Sequence, residues 1–173
     1  WVSEGGIIVV NKRGIEKKAL ISPPEKPAKW ISKYGSVTFN QFGKEFPFGG
    51  INEKGLVVEL MLVNGNYPPL KGKYAVNELQ WVQYQLDNSK SIQEVIESTQ
   101  KIGIQQINQH LHFLICDSLG NSAVIEFNST EILTYKGSDL KTPVLENEQY
   151  LKSVKKHSTN NTCRFGTAVK MIN

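Results

Sequence analysis

Residues 48–63 constrain the fold more than any other stretch of this chain. Phe48-Gly49-Gly50-Ile51-Asn52-Glu53-Lys54-Gly55 leads into an apolar run from Leu56 to Val63 that is broken by Glu59. Asn52 and Gly55 both tolerate positive φ and bracket two charges, which is the chemistry of a tight turn. The run behind the turn reads as a strand buried on both faces of a sheet. Glu59 is then a carboxylate set into a buried strand. Such a group either turns to solvent or a structural partner, or it is held there for chemistry.

Composition narrows the class. A chain of 173 residues fits one domain with a sizeable core. Its 39% hydrophobic and 21% charged residues are ordinary for a soluble globular protein. The net charge of +4 is spread along the chain, with Lys17-Lys18 and Lys155-Lys156 as short pairs. Without a basic stripe, nucleic-acid binding has no positive support. No apolar run approaches the roughly 20 residues a membrane span needs. Cys116 and Cys163 lack metal-ligand spacing, and His110, His112 and His157 form no HExxH pattern, so no metal site and no cofactor is expected. His110 and His112 share one face of a strand and read as packed near its end. Cys116 reads as an inert core thiol. Cys163 adjoins Arg164, whose guanidinium favours a thiolate, but no base is identifiable beside it. The chain opens on Trp1 and closes on Met171-Ile172-Asn173, straight after the start of a helix. Both ends read as cut through structure, so residues 1–173 are expected to be one truncated domain.

The remaining pattern orders the elements. Residues 5–10 read as a buried strand and residues 19–21 as another, before a proline-rich connection at 22–27. In residues 35–40, Val37 and Phe39 alternate with polar residues as in a half-buried strand. Residues 77–86 predict a helix with Val76, Leu79, Val82 and Leu86 along one face. Ser91 and Glu94 form a capping box ahead of Ile92, Val95, Ile96, Thr99 and Ile102, with Gly103 as the stop. Residues 111–117, 122–127 and 131–135 predict a meander. Residues 148–156 and 164–172 read as helices. Strands, two helices, strands and helix in that order suit two sheets between helical layers better than a doubly wound sheet. No GxSxG, P-loop or GxGxxG motif is present.

Four segments occur in one order and at fitting intervals: Gly50-Ile-Asn-Glu-Lys-Gly-Leu56, residues 111–126 (LHFLICDSLGNSAVIE), Val144-Leu-Glu-Asn147 and Arg164-Phe165. Together they resemble the choloylglycine hydrolase family, which includes bile-salt hydrolases and penicillin V acylases. The resemblance runs over nearly the whole chain. It implies the αββα four-layer sandwich of N-terminal-nucleophile hydrolases, an α+β fold here incomplete at both ends. It also implies hydrolysis of linear amide C–N bonds in an N-acyl amide, such as a conjugated bile acid or a penicillin V-like substrate. The family nucleophile is a Cys at residue one of the mature chain, whose own α-amine, with a pKa near 8, takes the thiol proton. Trp1 matches the aromatic residue just after the family Asp that orients that Cys. The Cys and its orienting Arg and Asp would all lie upstream of residue 1.

Three positions carry over. Asn147 matches the Asn whose amide donates to the tetrahedral oxyanion. Arg164 matches the Arg beside the nucleophile, which would stabilise thiolate and developing negative charge. Leu62 matches the second oxyanion-hole position, Asn in bile-salt hydrolases and Tyr in penicillin V acylases. A leucine side chain donates nothing, so its backbone N–H would have to serve, which counts against strict bile-salt specificity. Glu59 has no counterpart in those groups and is expected to pair with a cation near the site, either Arg164 or the upstream Arg. The competing reading is a non-catalytic binding or structural relative that has lost the nucleophile. By family analogy the protein is a small-molecule enzyme that could assemble as a homo-oligomer. The compartment, bacterial cytoplasm or periplasm and beyond, is left open. The isolated chain, with sheet edges and apolar faces uncovered, is expected to be poorly soluble.

Overall fold

The computed structural model describes residues 5–157 and 164–172. In chain order the elements are β1 (Ile7–Asn11), β2 (Glu16–Lys18), β3 (Lys29–Ile31), β4 (Ser36–Asn40), β5 (Pro47–Asn52), β6 (Val57–Leu62) and β7 (Tyr74–Asn77). Helices α1 (Glu78–Asn88) and α2 (Ile92–Ser98) follow. Then come β8 (Ile102–Gln105), β9 (Leu111–Cys116), β10 (Ser122–Phe127), β11 (Ile132–Lys136), α3 (Tyr150–His157) and α4 (Arg164–Ile172). Seven strands form one sheet in the order β1-β4-β5-β6-β9-β10-β11, antiparallel throughout. β2 pairs with β3, and β7 pairs in parallel with β8.

The period-2 alternation of strands sorts the sheet into two faces. Val58, Phe113, Ile115, Ala123 and Ile125 point inward and are fully buried. They meet Trp81, Val82 and Leu86 of α1 and Val95 of α2, also fully buried. The Trp81 and Phe113 rings stack at 4.2 Å between centroids, and Phe127 meets both edge-on. Each such fully buried large side chain contributes about 1.5–3 kcal/mol, so this seam is where the fold is held.

The turn at Asn52 behaves as the sequence suggests. Asn52 is 3% exposed, and its side chain makes four bonds. Oδ1 accepts from the backbone N–H of Lys54 and Leu56, while Nδ2 donates to the carbonyls of Leu86 and Ser89. Every polar capacity of the amide is used. One residue thus shapes the turn, with Gly55 at φ +78°, and ties it to the C-terminal end of α1.

Elsewhere the tertiary structure overrules the pattern. β6 is not buried on both faces: Val58 is enclosed, but Met61 and Leu62 are 39% and 45% exposed. β1 is an edge strand whose Ile8 and Val10 face outward, and β2 starts at Glu16 rather than near Ala19. In β4 the alternation is present with the opposite sense. Ser36, Thr38 and Asn40 are buried while Val37 and Phe39 are exposed. Thr38 Oγ1 accepts from Asn11 Nδ2 at 3.0 Å, and Asn40 Nδ2 donates to the Gly43 and Lys44 carbonyls. Helix α2 ends at Ser98, and Ile102 and Gly103 belong to β8. Gly103 is there for clearance, since a Cβ would run into the Leu70 side chain.

Candidate active site

The end of β6 is where two of the candidate residues, Leu62 and Asn147, meet. Val63 N–H donates to the His110 carbonyl across the β6–β9 ladder, and Leu62 lies opposite Leu111. In an antiparallel pair, neighbouring residues point their amide groups to alternate sides. Leu62 therefore turns its N–H and C=O away from β9, towards the β5 side. β5 pairs with β6 only as far as Gly49 opposite Glu59, so that edge of β6 is open beyond this point. Asn147 occupies it. Its Nδ2 donates to the Leu62 carbonyl at 3.0 Å. An amide nitrogen has two hydrogens, and this bond uses one, so a second N–H donor remains beside the Leu62 backbone. Two of the residues singled out in sequence, 85 positions apart, are in direct contact. Asn147 does not cap a helix, since α3 begins at Tyr150.

A buried cluster holds the segment that carries Asn147. His112, on β9, is fully enclosed. Its Nδ1 lies 2.8 Å from Glu126 Oε1, and its Nε2 lies 2.8 Å from the Glu146 carbonyl oxygen. The same Glu126 oxygen accepts the Tyr150 backbone N–H at 2.7 Å. Glu126 and His110 also line a cavity of about 240 Å³ that reaches Val63, Tyr135 and Gln149. Burial lowers the His110 imidazole below its usual range, while its hydrogen bond to the Val63 carbonyl opposes that shift. The ring lies against Gly65, where any Cβ would collide with it, and packs on Tyr67 at 4.6 Å between centroids. His110 and His112 are thus packed residues at the entry of β9, and no cluster of metal-ligating side chains occurs among the described residues.

Glu59 projects from the outer face of β6 onto Gly49. A Cβ at residue 49 would coincide with the carboxyl group, so the Glu59 side chain takes this position over a glycine. Burial pushes the Glu59 carboxyl above its ordinary range. Among the described residues no cation lies within ion-pair distance of it, so it does not meet Arg164. Arg164 opens α4, is exposed, and forms no ion pair with a described carboxylate. Cys116 Sγ bonds Ser122 Oγ at 3.3 Å at the opposite end of the ladder, where it pairs with Val57. That is five residues along β6 from Leu62, about 17 Å at strand spacing. Cys163 lies outside the described residues.

Sequence reasoning missed His112, Glu126 and Tyr150 as a unit. The available signal was two buried-type positions on adjacent strands of the meander, His112 and Glu126, each polar within an apolar run.

The helical layer on a large antiparallel sheet is that of the N-terminal-nucleophile hydrolases, the fold of the penicillin V acylase structure on which the chain superposes. Residues 22–162 match the linear amide C-N hydrolases of the choloylglycine hydrolase family, and the chain belongs to that family. A penicillin V acylase from Pectobacterium atrosepticum is 34% identical over 116 residues, covering 57% of this chain and 31% of the relative. The structure of penicillin V acylase from Agrobacterium tumefaciens superposes with a TM-score of 0.76 at 26% identity, over 90% of this chain and 48% of that one. A conjugated bile acid hydrolase from Clostridium perfringens shares the fold at TM-score 0.71 and 19% identity, over 91% of this chain and 50% of that one. The chain thus spans about a third to a half of the length of these relatives. Among the described residues, no helix is long and apolar enough to cross a membrane.

Proposed function

We propose that the protein carrying this sequence hydrolyses an N-acyl amide through a cysteine thioester, and that residues 1–173 are one incomplete domain of that enzyme. The observation that carries this reading is the contact between Asn147 Nδ2 and the Leu62 carbonyl at the open edge of β6. On this reading the Leu62 N–H and the second Asn147 N–H would serve as a pair of donors. A nucleophilic cysteine, with a free α-amine as its base, would attack the amide carbon. The carbonyl electrons would move onto oxygen, facing these two donors. Collapse of the tetrahedral species expels the amine, which takes the proton from the α-ammonium. Water then cleaves the thioester and releases the acid. Arg164, carried by α4, would stabilise the thiolate. The nucleophile comes from outside the described residues, since Cys116 sits at the far end of the strand.

The Leu62 side chain offers no donor, which favours an acyl group recognised by apolar contact over a strict bile-salt specificity. Penicillin V and a glycine-conjugated bile acid are the two probes, chosen because the similar proteins are named for such substrates. Release of amine from either by the full-length protein supports the reading. Absence of hydrolysis of both, with no mass adduct on a cysteine after incubation, favours a binding relative without the nucleophile. The 173-residue chain by itself is expected to hydrolyse neither.

A further inference from the structure

Asn147 can act as an oxyanion donor only if its side chain is held at the β6 edge, yet the residue itself is exposed and lies between elements. Two hydrogen bonds fix the chain on either side of it. One residue before, the Glu146 carbonyl faces His112 Nε2; three residues after, the Tyr150 N–H meets Glu126 Oε1. His112 and Glu126 are themselves joined at 2.8 Å. The proton count follows from chemistry. A backbone carbonyl only accepts, so Nε2 carries hydrogen. Glu126 Oε1 receives the Tyr150 N–H and also faces Nδ1, so one proton lies between imidazole and carboxyl group and joins the two. His112 is fully enclosed, so water does not substitute for either partner.

We propose that His112, oriented by its hydrogen bond to Glu126, is the positioning residue that sets Asn147 at the Leu62 edge. The pair sits on β9 and β10, two central strands of the sheet, and grips the 146–150 segment from beneath. Around it stand His110, Tyr135 on β11, and Tyr150 and Lys152 on α3. Placing a catalytic amide on a rigid hydrogen-bonded pair removes the ordering cost from the chemical step. The catalytic consequence rests on the function proposed above; the placement of Asn147 does not.

The test uses the full-length protein carrying this sequence, labelled with ¹⁵N in histidine and asparagine. His112 Nε2 should show a directly bonded proton, held in slow exchange by the Glu146 carbonyl. The Asn147 side-chain amide should exchange slowly with solvent. His112→Leu removes both hydrogen bonds and should speed that exchange at least tenfold, while the β9 and β10 backbone amides keep their protection. His112→Gln keeps one donor and should restore part of the protection. In turnover, His112→Leu should lower kcat with KM little changed. A His112 Nε2 without a bonded proton, or unchanged Asn147 protection in His112→Leu, overturns the proposal. If His112→Leu does not fold, the Nε2 proton in the wild type and the His112→Gln exchange rate decide. Should Asn147 protection collapse while kcat is unaffected, the positioning stands and the oxyanion assignment of Asn147 fails.

Discussion

Asn147 and Glu59 show what single residues contribute at this site. Asn147 is exposed and bonds across to Leu62, so its removal should leave the fold intact. In the full-length protein Asn147→Ala should lower kcat about 10²–10³-fold, the effect of losing one oxyanion donor of about 2.7–4 kcal/mol. Steady-state kinetics beside a thermal melt separate this from instability. Glu59 does not reach Arg164, one of the two cations expected for it, and lies over Gly49 on the outer face of β6. Its folded carboxyl is raised above 4.5, so the native state keeps the proton longer than the unfolded chain. The unfolded state then binds fewer protons in the window that opens at 4.5, and stability falls as pH rises through it. Glu59→Gln should flatten that slope and be no less stable than wild type at neutral pH, as read from urea melts across the window. A loss of stability at neutral pH would mean that the carboxylate has a partner after all.

Among the elements, α1 depends most on partners far away in sequence. Gln80, Gln83, Gln85 and Asp87 are all buried, although helical periodicity placed only one apolar stripe there. Asp87 Oδ2 accepts from Trp30 Nε1 at 2.7 Å and pairs with Lys17 at 3.0 Å, and Oδ1 accepts from Gln83 at 2.8 Å. β2, β3 and the end of α1 are thereby joined by one carboxylate. Asp87→Ala leaves the Lys17 ammonium buried without its counter-ion and should cost about 3–5 kcal/mol, measured by denaturant unfolding. Changing Lys17 to Met at the same time should recover part of that loss. The helices and the meander were legible in sequence because their periods are local properties. β8 was not, since Ile102 and Gly103 continue a helical pattern and become a strand only by pairing with Tyr74 and Ala75.

Over the whole molecule, one half of the outer sheet face is left uncovered by the described residues. Ile8, Val10, Val37, Phe39, Ile51 and Met61 are each more than a third exposed, on four neighbouring strands. The other half is covered near β10 and β11, where Tyr135 packs on Tyr150 of α3 at 4.9 Å. Exposed apolar area on this scale lowers solubility. The isolated 173-residue chain should therefore sediment as a mixture of species, and Ile8→Lys with Phe39→Lys should shift it towards monomer. A single monomeric species in the unmodified chain would contradict this.

The sequence by itself determined the turn at Asn52, the strands and helices with strong local period, and the family to which the chain belongs. It also marked Asn147, which falls in a segment that keeps its spacing, and Leu62, six residues beyond another. Only the tertiary structure decided which face of each strand is inward: alternation gives two faces, and nothing local says which one the helices cover. It alone brought Asn147 to Leu62 across 85 residues, released Glu59 from Arg164, and joined His112 to Glu126 beneath the loop. Those relations depend on strand order in the sheet, which long-range pairing sets and no sequence window contains.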